Sequence, residues 1–117
     1  MHAPYNQHLF NEIVYDTVTD SSLVEMKKIT KVEANKFLNK IMDDNDFDVF
    51  ISVDNDMAGI AAAAHFPALT VPMGYQKDGQ PTNITFITRS FKEQLLYNLG
   101  YAYEKKSKKR KSPKNYN

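Results

Sequence analysis

Pro67 and Pro72 bracket the apolar segment Ala68-Leu69-Thr70-Val71. The residues Ala61-Ala62-Ala63-Ala64-His65-Phe66 precede it, and Met73-Gly74-Tyr75 and Asp78-Gly79-Gln80-Pro81 follow. Proline lacks an N–H and cannot serve a central ladder, so the pair predicts the two ends of a short strand. A run of alanines lets a helix backbone approach a sheet closely, and Asp-Gly supplies the positive φ of a hairpin turn. The stretch therefore predicts helix, strand and tight turn in immediate succession. It is a structural staple, and no nucleophile lies within it.

What surrounds the staple must fit one domain, because 117 residues leave room for a modest core and little more. The chain has no cysteine, which excludes a disulfide framework and thiolate chemistry and fits a reducing cytoplasm. No apolar run approaches the ~20 residues of a membrane span. The Met1-His2-Ala3-Pro4-Tyr5-Asn6 start has neither a basic n-region nor an apolar h-region, so no signal peptide is expected. The net charge of +1 is unevenly spread. Asp43, Asp44, Asp46, Asp48, Asp54 and Asp56 crowd the middle, and Lys105, Lys106, Lys108, Lys109, Arg110, Lys111 and Lys114 crowd the end. Basic residues among Ser, Pro and Asn cannot bury enough surface to order themselves, so 107–117 reads as a tail.

Leu9, Phe10, Ile13, Val14, Thr17 and Val18 recur at helical spacing, and Thr19-Asp20-Ser21-Ser22 reads as a break. Thr30 and Glu33 form a capping-box pattern for a helix with an Ala34-Phe37-Leu38-Ile41 stripe, Lys36, Asn39, Lys40 and Asp43 facing solvent. Its end is expected near Asp44-Asn45, where acidic residues oppose the macrodipole. Phe47, Val49, Ile51 and Val53 alternate, with Phe50 apolar on the other side, which predicts an interior strand. Asp56 is expected to cap a short helix ending at His65. After the staple, 83–88 reads as a third strand, and Ser90 and Glu93 as a second capping box. The last helix carries a Phe91-Leu95-Leu96-Leu99-Ala102-Tyr103 stripe, and Gly100 inside it costs roughly 1 kcal/mol relative to alanine, a cost that a close helix–sheet approach would offset. The order α, α, β, α, β, β, α predicts an α/β fold with a mixed sheet flanked by helices. In it the strand–helix–strand unit forms a parallel crossover and the hairpin adds an antiparallel neighbour. Leu69 and Val71 should then lie beside Val49 and Ile51, beneath the Ala61–Ala64 helix. Three strands leave exposed edges, which points to a piece of something larger.

Phe47-Asp48-Val49-Phe50-Ile51, the alanine-rich helix, Phe66-Pro67 through Gly74-Tyr75, Asp78-Gly79-Gln80-Pro81, Ile84-Thr85-Phe86-Ile87, and Leu95-Leu96 through Tyr101-Ala102-Tyr103-Glu104 occur in a fixed order. Together they resemble the C-terminal end of the amidase-signature enzymes, from about Phe47 to Arg110; residues 1–46 carry no specific motif. The resemblance implies chemistry at a carboxamide C–N bond, as in amidases and glutamyl-tRNA amidotransferase subunits. The family uses a serine nucleophile, a second serine held by a cis peptide, a lysine relay and a glycine- and serine-rich oxyanion loop. All of these lie upstream of the matched region. The adjacent serines here, Ser21-Ser22, have no neighbouring glycine, and Gly59, Gly74, Gly79 and Gly100 are scattered. Where the family has Pro-Thr after the first strand, this chain has Val53-Asp54. Ala61–Phe66 replaces a Gly-Tyr ending, and the acidic Asp54-Asn55-Asp56 loop carries over no substrate preference.

Sharper readings of single residues fare poorly. Asp54, Asp56 and Gly59 imitate a calcium loop, but Ala58 and His65 stand where ligands are required. His8 and Glu12 are spaced to touch a metal, yet two ligands make no site, and a solvated helix face explains them. His65 has no serine or carboxylate at motif spacing. Tyr97, Tyr101 and Tyr103 read as packing and rim residues, and the basic tail without interleaved aromatics as a solvated one. No residue is thus put forward as catalytic, cofactor-binding or metal-ligating, and no cofactor is expected. The expected organisation is an amidase C-terminal-like domain over 1–106, with a helical lead-in at 1–46 and a core at 47–106, then the tail at 107–117. It should be cytoplasmic and inactive alone. The expected partners are the N-terminal catalytic portion of an amidase or further copies of the chain, with no membrane and no nucleic acid. The alternative is a non-catalytic, self-associating remnant.

Overall fold

A computed structural model describes residues 7–112 and contains α1 His8–Val14, α2 Asp20–Asn45, β1 Val49–Val53, α3 Ala58–Ala64, β2 Ala68–Tyr75, β3 Pro81–Thr88 and α4 Glu93–Ser107. The element order is the expected one, but several boundaries and neighbours are not. α2 is a single helix of 26 residues, so Thr30 and Glu33 sit in its middle and form no cap. The start lies at Thr19, whose Oγ1 accepts the Ser22 N–H at 3.3 Å, and no glycine or proline interrupts the chain from there to Asn45. The expected break is therefore a helix N-terminus. The end falls where expected, with Asp46 at φ 51° and its N–H returned to the Met42 carbonyl. Aspartate tolerates that left-handed conformation better than most residues.

The sheet has the order β1-β3-β2, and both pairs are antiparallel. The α/β class stands; the expected parallel pair of β1 with β2 does not form. β3 takes the centre instead, because the hairpin turn delivers it against β2 while Pro72 confines β2 to an edge. Ile51 and Leu69 both oppose Phe86, and Val53 and Val71 both oppose Ile84, so the four residues share a face but not a ladder. β1 is likewise an edge and not an interior strand. Pro72 does not end β2: pairing continues to Tyr75 after a register shift between Pro72 and Gly74. The turn is the expected one. Gly79 has φ 89°, its N–H meets the Gln76 carbonyl at 3.0 Å, and Asp78 Oδ1 accepts the Gln80 N–H at 3.0 Å.

Helices cover the sheet diagonally. Leu38 and Met42 of α2 and Ala61 and Ala64 of α3 pack with Phe66 and Ile87 on one face, joined by Phe47 and Phe50. On the other face Leu96, Leu99 and Tyr103 of α4 cover Phe86, Val71, Leu69 and Ile84. Leu69 and Val71 thus lie beneath α4, not beneath the alanine helix. At Gly100 the helix does come close to the sheet: a Cβ there would stand 2.5 Å from Leu69 Cδ2. Ile51 of β1 stays 63% exposed on the α4 side, because α4 packs mainly on β2 and β3 and only Val49 of β1 joins that cluster.

Two expected caps are absent. Asp56 does not cap α3; its N–H closes a turn to the Val53 carbonyl, and Met57 holds the cap position without a side-chain bond. Ser90 does not cap α4; its Oγ donates to the His65 carbonyl at 2.9 Å, and Lys92 takes the cap position. Phe91 leaves the stripe altogether. α4 runs through Ser107 to a left-handed Lys108, one residue past the expected edge of the tail. Residues 108–112 are exposed and without regular structure, and 113–117 of the expected tail lie outside the described residues.

Candidate interaction surface

The polar side of α2 was expected to face water, and part of it does something else. Asn35, Asn39 and Asp43 stand one helical turn apart and form a ladder. Asn35 Nδ2 donates to the Ala64 carbonyl at 3.1 Å, and Asn39 Nδ2 donates to Asn35 Oδ1 at 2.6 Å. Arg89, just after β3, donates to Asn39 Oδ1 and, at 2.5 Å, to Asp43 Oδ1. One rail of α2 thereby holds the C-terminal end of α3 and the β3–α4 junction together. The Asn-x-x-x-Asn-x-x-x-Asp spacing was the sequence signal for it. Asp54, a candidate calcium ligand by spacing, is engaged by Asn83: its Oδ1 accepts the Asn83 N–H at 2.7 Å and lies 3.3 Å from Asn83 Nδ2.

The ladder fixes the walls of a groove. Two adjoining hollows of about 600 and 700 Å³ run between α2 and the end of α3, sharing Lys31, Ala62 and His65. Leu23, Met26, Lys27 and Lys28 line one end, and Phe66, Pro67, Ser90, Phe91 and Glu93 the other. Both His65 and Phe91 have left-handed backbones, at φ 56° and 65°. For a bulky residue such as Phe91 that conformation is unfavourable, and here it holds the ring 93% exposed at the groove mouth.

The other singled-out residues are not assembled into a catalytic centre. Ser21 and Ser22 cluster with Thr19 at the start of α2, where Thr19 Oγ1 donates to Ser22 Oγ at 2.9 Å. His8 Nδ1 and Glu12 Oε1 are 3.4 Å apart on exposed α1. Tyr103 packs edge-on against Phe86 at 6.1 Å, while Tyr101 lies outward beneath Lys105 Nζ at 5.6 Å. What the surface offers chemically is contact: apolar side chains and a concavity rimmed by lysines. Among the described residues no helix is long and apolar enough to cross a membrane.

The same fold occurs in larger proteins. The solved structure of an amidase family protein from Bacillus anthracis superposes with a TM-score of 0.83 at 34% identity, over 94% of this chain and 22% of that one. This chain is a relative of the amidases. A probable amidase of Arabidopsis thaliana is 28% identical over 94 residues, 80% of this chain and 18% of its own length. A glutamyl-tRNA(Gln) amidotransferase subunit of Limosilactobacillus reuteri is 36% identical over 55 residues, 46% of this chain and 10% of its own. The structure titled PAM12A, at 24% identity and a TM-score of 0.76, shares the fold. No protein-family model matches the chain. This amidase relative thus spans about a fifth of the plant and Bacillus proteins, at 18% and 22% of their lengths.

Proposed function

We propose that this chain is the C-terminal part of an amidase-like hydrolase acting on carboxamide C–N bonds, that it lacks the catalytic residues, and that it completes an amidase body instead of catalysing alone. The observation behind this reading is the superposition on the Bacillus amidase family protein, which takes in 94% of this chain and leaves most of that protein unmatched. The adjacent serines support it from the other side. They are engaged at the start of α2, whereas the chemistry needs a hydroxyl beside a base with donors aimed at an oxyanion. The partner is then the catalytic portion, and the cysteine-free composition is in keeping with a reducing cytoplasm. The test is direct. Purified chain incubated with simple carboxamides is expected to release no ammonia above buffer; release that a serine-directed reagent abolishes overturns the reading.

Self-association is the second reading, and the open edge of β1 is what favours it. Among the described residues β1 pairs only with β3, and Ile51 beside that edge is exposed. Light scattering at micromolar concentration separates the two: the remnant reading requires a dimer or larger species of the chain alone, and a monodisperse monomer removes it.

A further inference from the structure

We infer that the groove between the N-terminal half of α2 and the end of α3, with Phe91 as its anchor, is where this chain docks an apolar segment of the remaining amidase polypeptide. The inference rests on the reading of the chain as an amidase segment and assigns that reading its contact face. Met26 is 56% exposed beside Leu23 in the groove wall, and Phe91 is 93% exposed at its mouth. An aromatic held in a strained backbone and presented to water is the kind of residue that anchors an interface.

The arm that forms this wall is not self-sufficient. α1 has seven residues and none is buried, whereas isolated helices shorter than ~12–15 residues are marginal in water. The chain has a radius of gyration of 18.4 Å, against about 13 Å for a compact domain of about 100 residues. A superposition on the Bacillus protein taking in 94% of 117 residues leaves out about seven, so it includes most or all of the 26-residue α2. There it accompanies a polypeptide more than four times as long as the matched segment, of which this chain matches 22%. That unmatched polypeptide is the occupant the groove fits. A second copy fits it badly. A symmetric contact would bring Lys27, Lys28 and Lys31 of both copies together, and like charges facing each other oppose association. The docking segment is accordingly apolar, with an acidic flank at the Lys27–Lys28–Lys31 end and none at the Glu93 end.

The chain has no cysteine, so single cysteines report the face cleanly. Met26→Cys in the groove and Lys77→Cys at the hairpin tip are introduced separately. Each is co-expressed with the Bacillus anthracis amidase family protein from which the matched segment has been deleted. In the purified complex, maleimide labelling at Met26→Cys is expected to slow by about tenfold or more while Lys77→Cys is unchanged, and Phe91→Ala is expected to weaken the complex by about tenfold. A complex that forms with Met26→Cys labelled at its free rate and Phe91→Ala neutral overturns the assigned face and leaves the amidase-segment reading standing. No complex between soluble partners overturns both. Protection by the chain alone, with doubled mass, assigns the groove to a second copy and also overturns the inference. Should the deleted protein be insoluble, the same cysteines are read in a single-chain fusion in which this chain replaces the matched segment. Unprotected Met26→Cys in that fusion counts against the groove in the same way.

Discussion

Gly100 shows how a single missing methyl group places a helix. A Cβ at that position would press to 2.5 Å from Leu69 Cδ2 and 3.5 Å from Val71 Cγ1, both on the face that α4 covers. Alanine would gain about 1 kcal/mol of helix propensity over glycine, and the displaced Leu69 would return a cost of about 1–3 kcal/mol from overpacking. Gly100→Ala is therefore expected to be neutral to mildly destabilising in urea denaturation. Leu69→Ala alone should cost about 2 kcal/mol, the low end for a leucine truncation, because the side chain is half-buried. The double variant should be less destabilised than the sum, since the truncated residue no longer meets the new methyl; strict additivity would show that the two residues do not touch. Leu96, 3% exposed, is the stronger case: Leu96→Ala should cost about 2–5 kcal/mol. Lys109→Ala, on an exposed and irregular stretch, should change stability by less than about 0.5 kcal/mol.

Among elements, α2 carries the clearest contrast between its two halves. From Ala34 to Met42 it is bound to the body through Leu38, Met42 and the Asn35–Asn39–Asp43 rail. From Asp20 to Lys31 every residue is exposed. In native-state hydrogen exchange the amides of 20–31 are expected to exchange far faster than those of 34–42, and to slow when a partner seats on the groove. Uniform protection along the whole helix would contradict this division. Asn35→Ala should cost about 1–3 kcal/mol, because it strips the Ala64 carbonyl and Asn39 of their shared partner. Much of this architecture is legible from residues whose role is local. The Asp78-Gly79 turn, the Ala61/Ala64 face and the end of α2 all follow from conformational preference or size. What escapes is non-local. Ser90 and Glu93 have the spacing of a capping box, but the helix starts later, with Lys92 at the cap position, and the Ser90 hydroxyl instead donates to the His65 carbonyl that the fold brings near. Val49, Phe50 and Ile51 read as an interior strand because apolar alternation marks surface that needs cover, not whether this chain supplies it, and Ile51 stays exposed. Asn39 and Asp43 looked like part of a solvated face for the same reason: their partner, Arg89, lies 46 residues from Asp43.

At the scale of the whole molecule, the diagonal covering leaves one corner of the sheet bare. α4 shields β2 and β3 on one side, and Ile51 on β1 remains uncovered there. Ile51→Lys should accordingly leave the stability of the chain within about 0.5 kcal/mol while lowering any self-association seen by light scattering; an unfolded variant would show that this corner is covered after all. The strand order has a further consequence for how the chain is made. The centre of the sheet is its last strand in sequence, so on the ribosome β1 has nothing to pair with until β3 has been synthesised. Val53 must wait for Ile84, and Val49 for Thr88. The β2–β3 hairpin, closed by a tight turn, can zip within microseconds once it emerges. β1 joins only afterwards, across a long loop whose closure entropy opposes it. Throughout that interval its apolar residues are open to other nascent chains, so β1, although made before β2 and β3, stays exposed to aggregation until β3 arrives to pair with it.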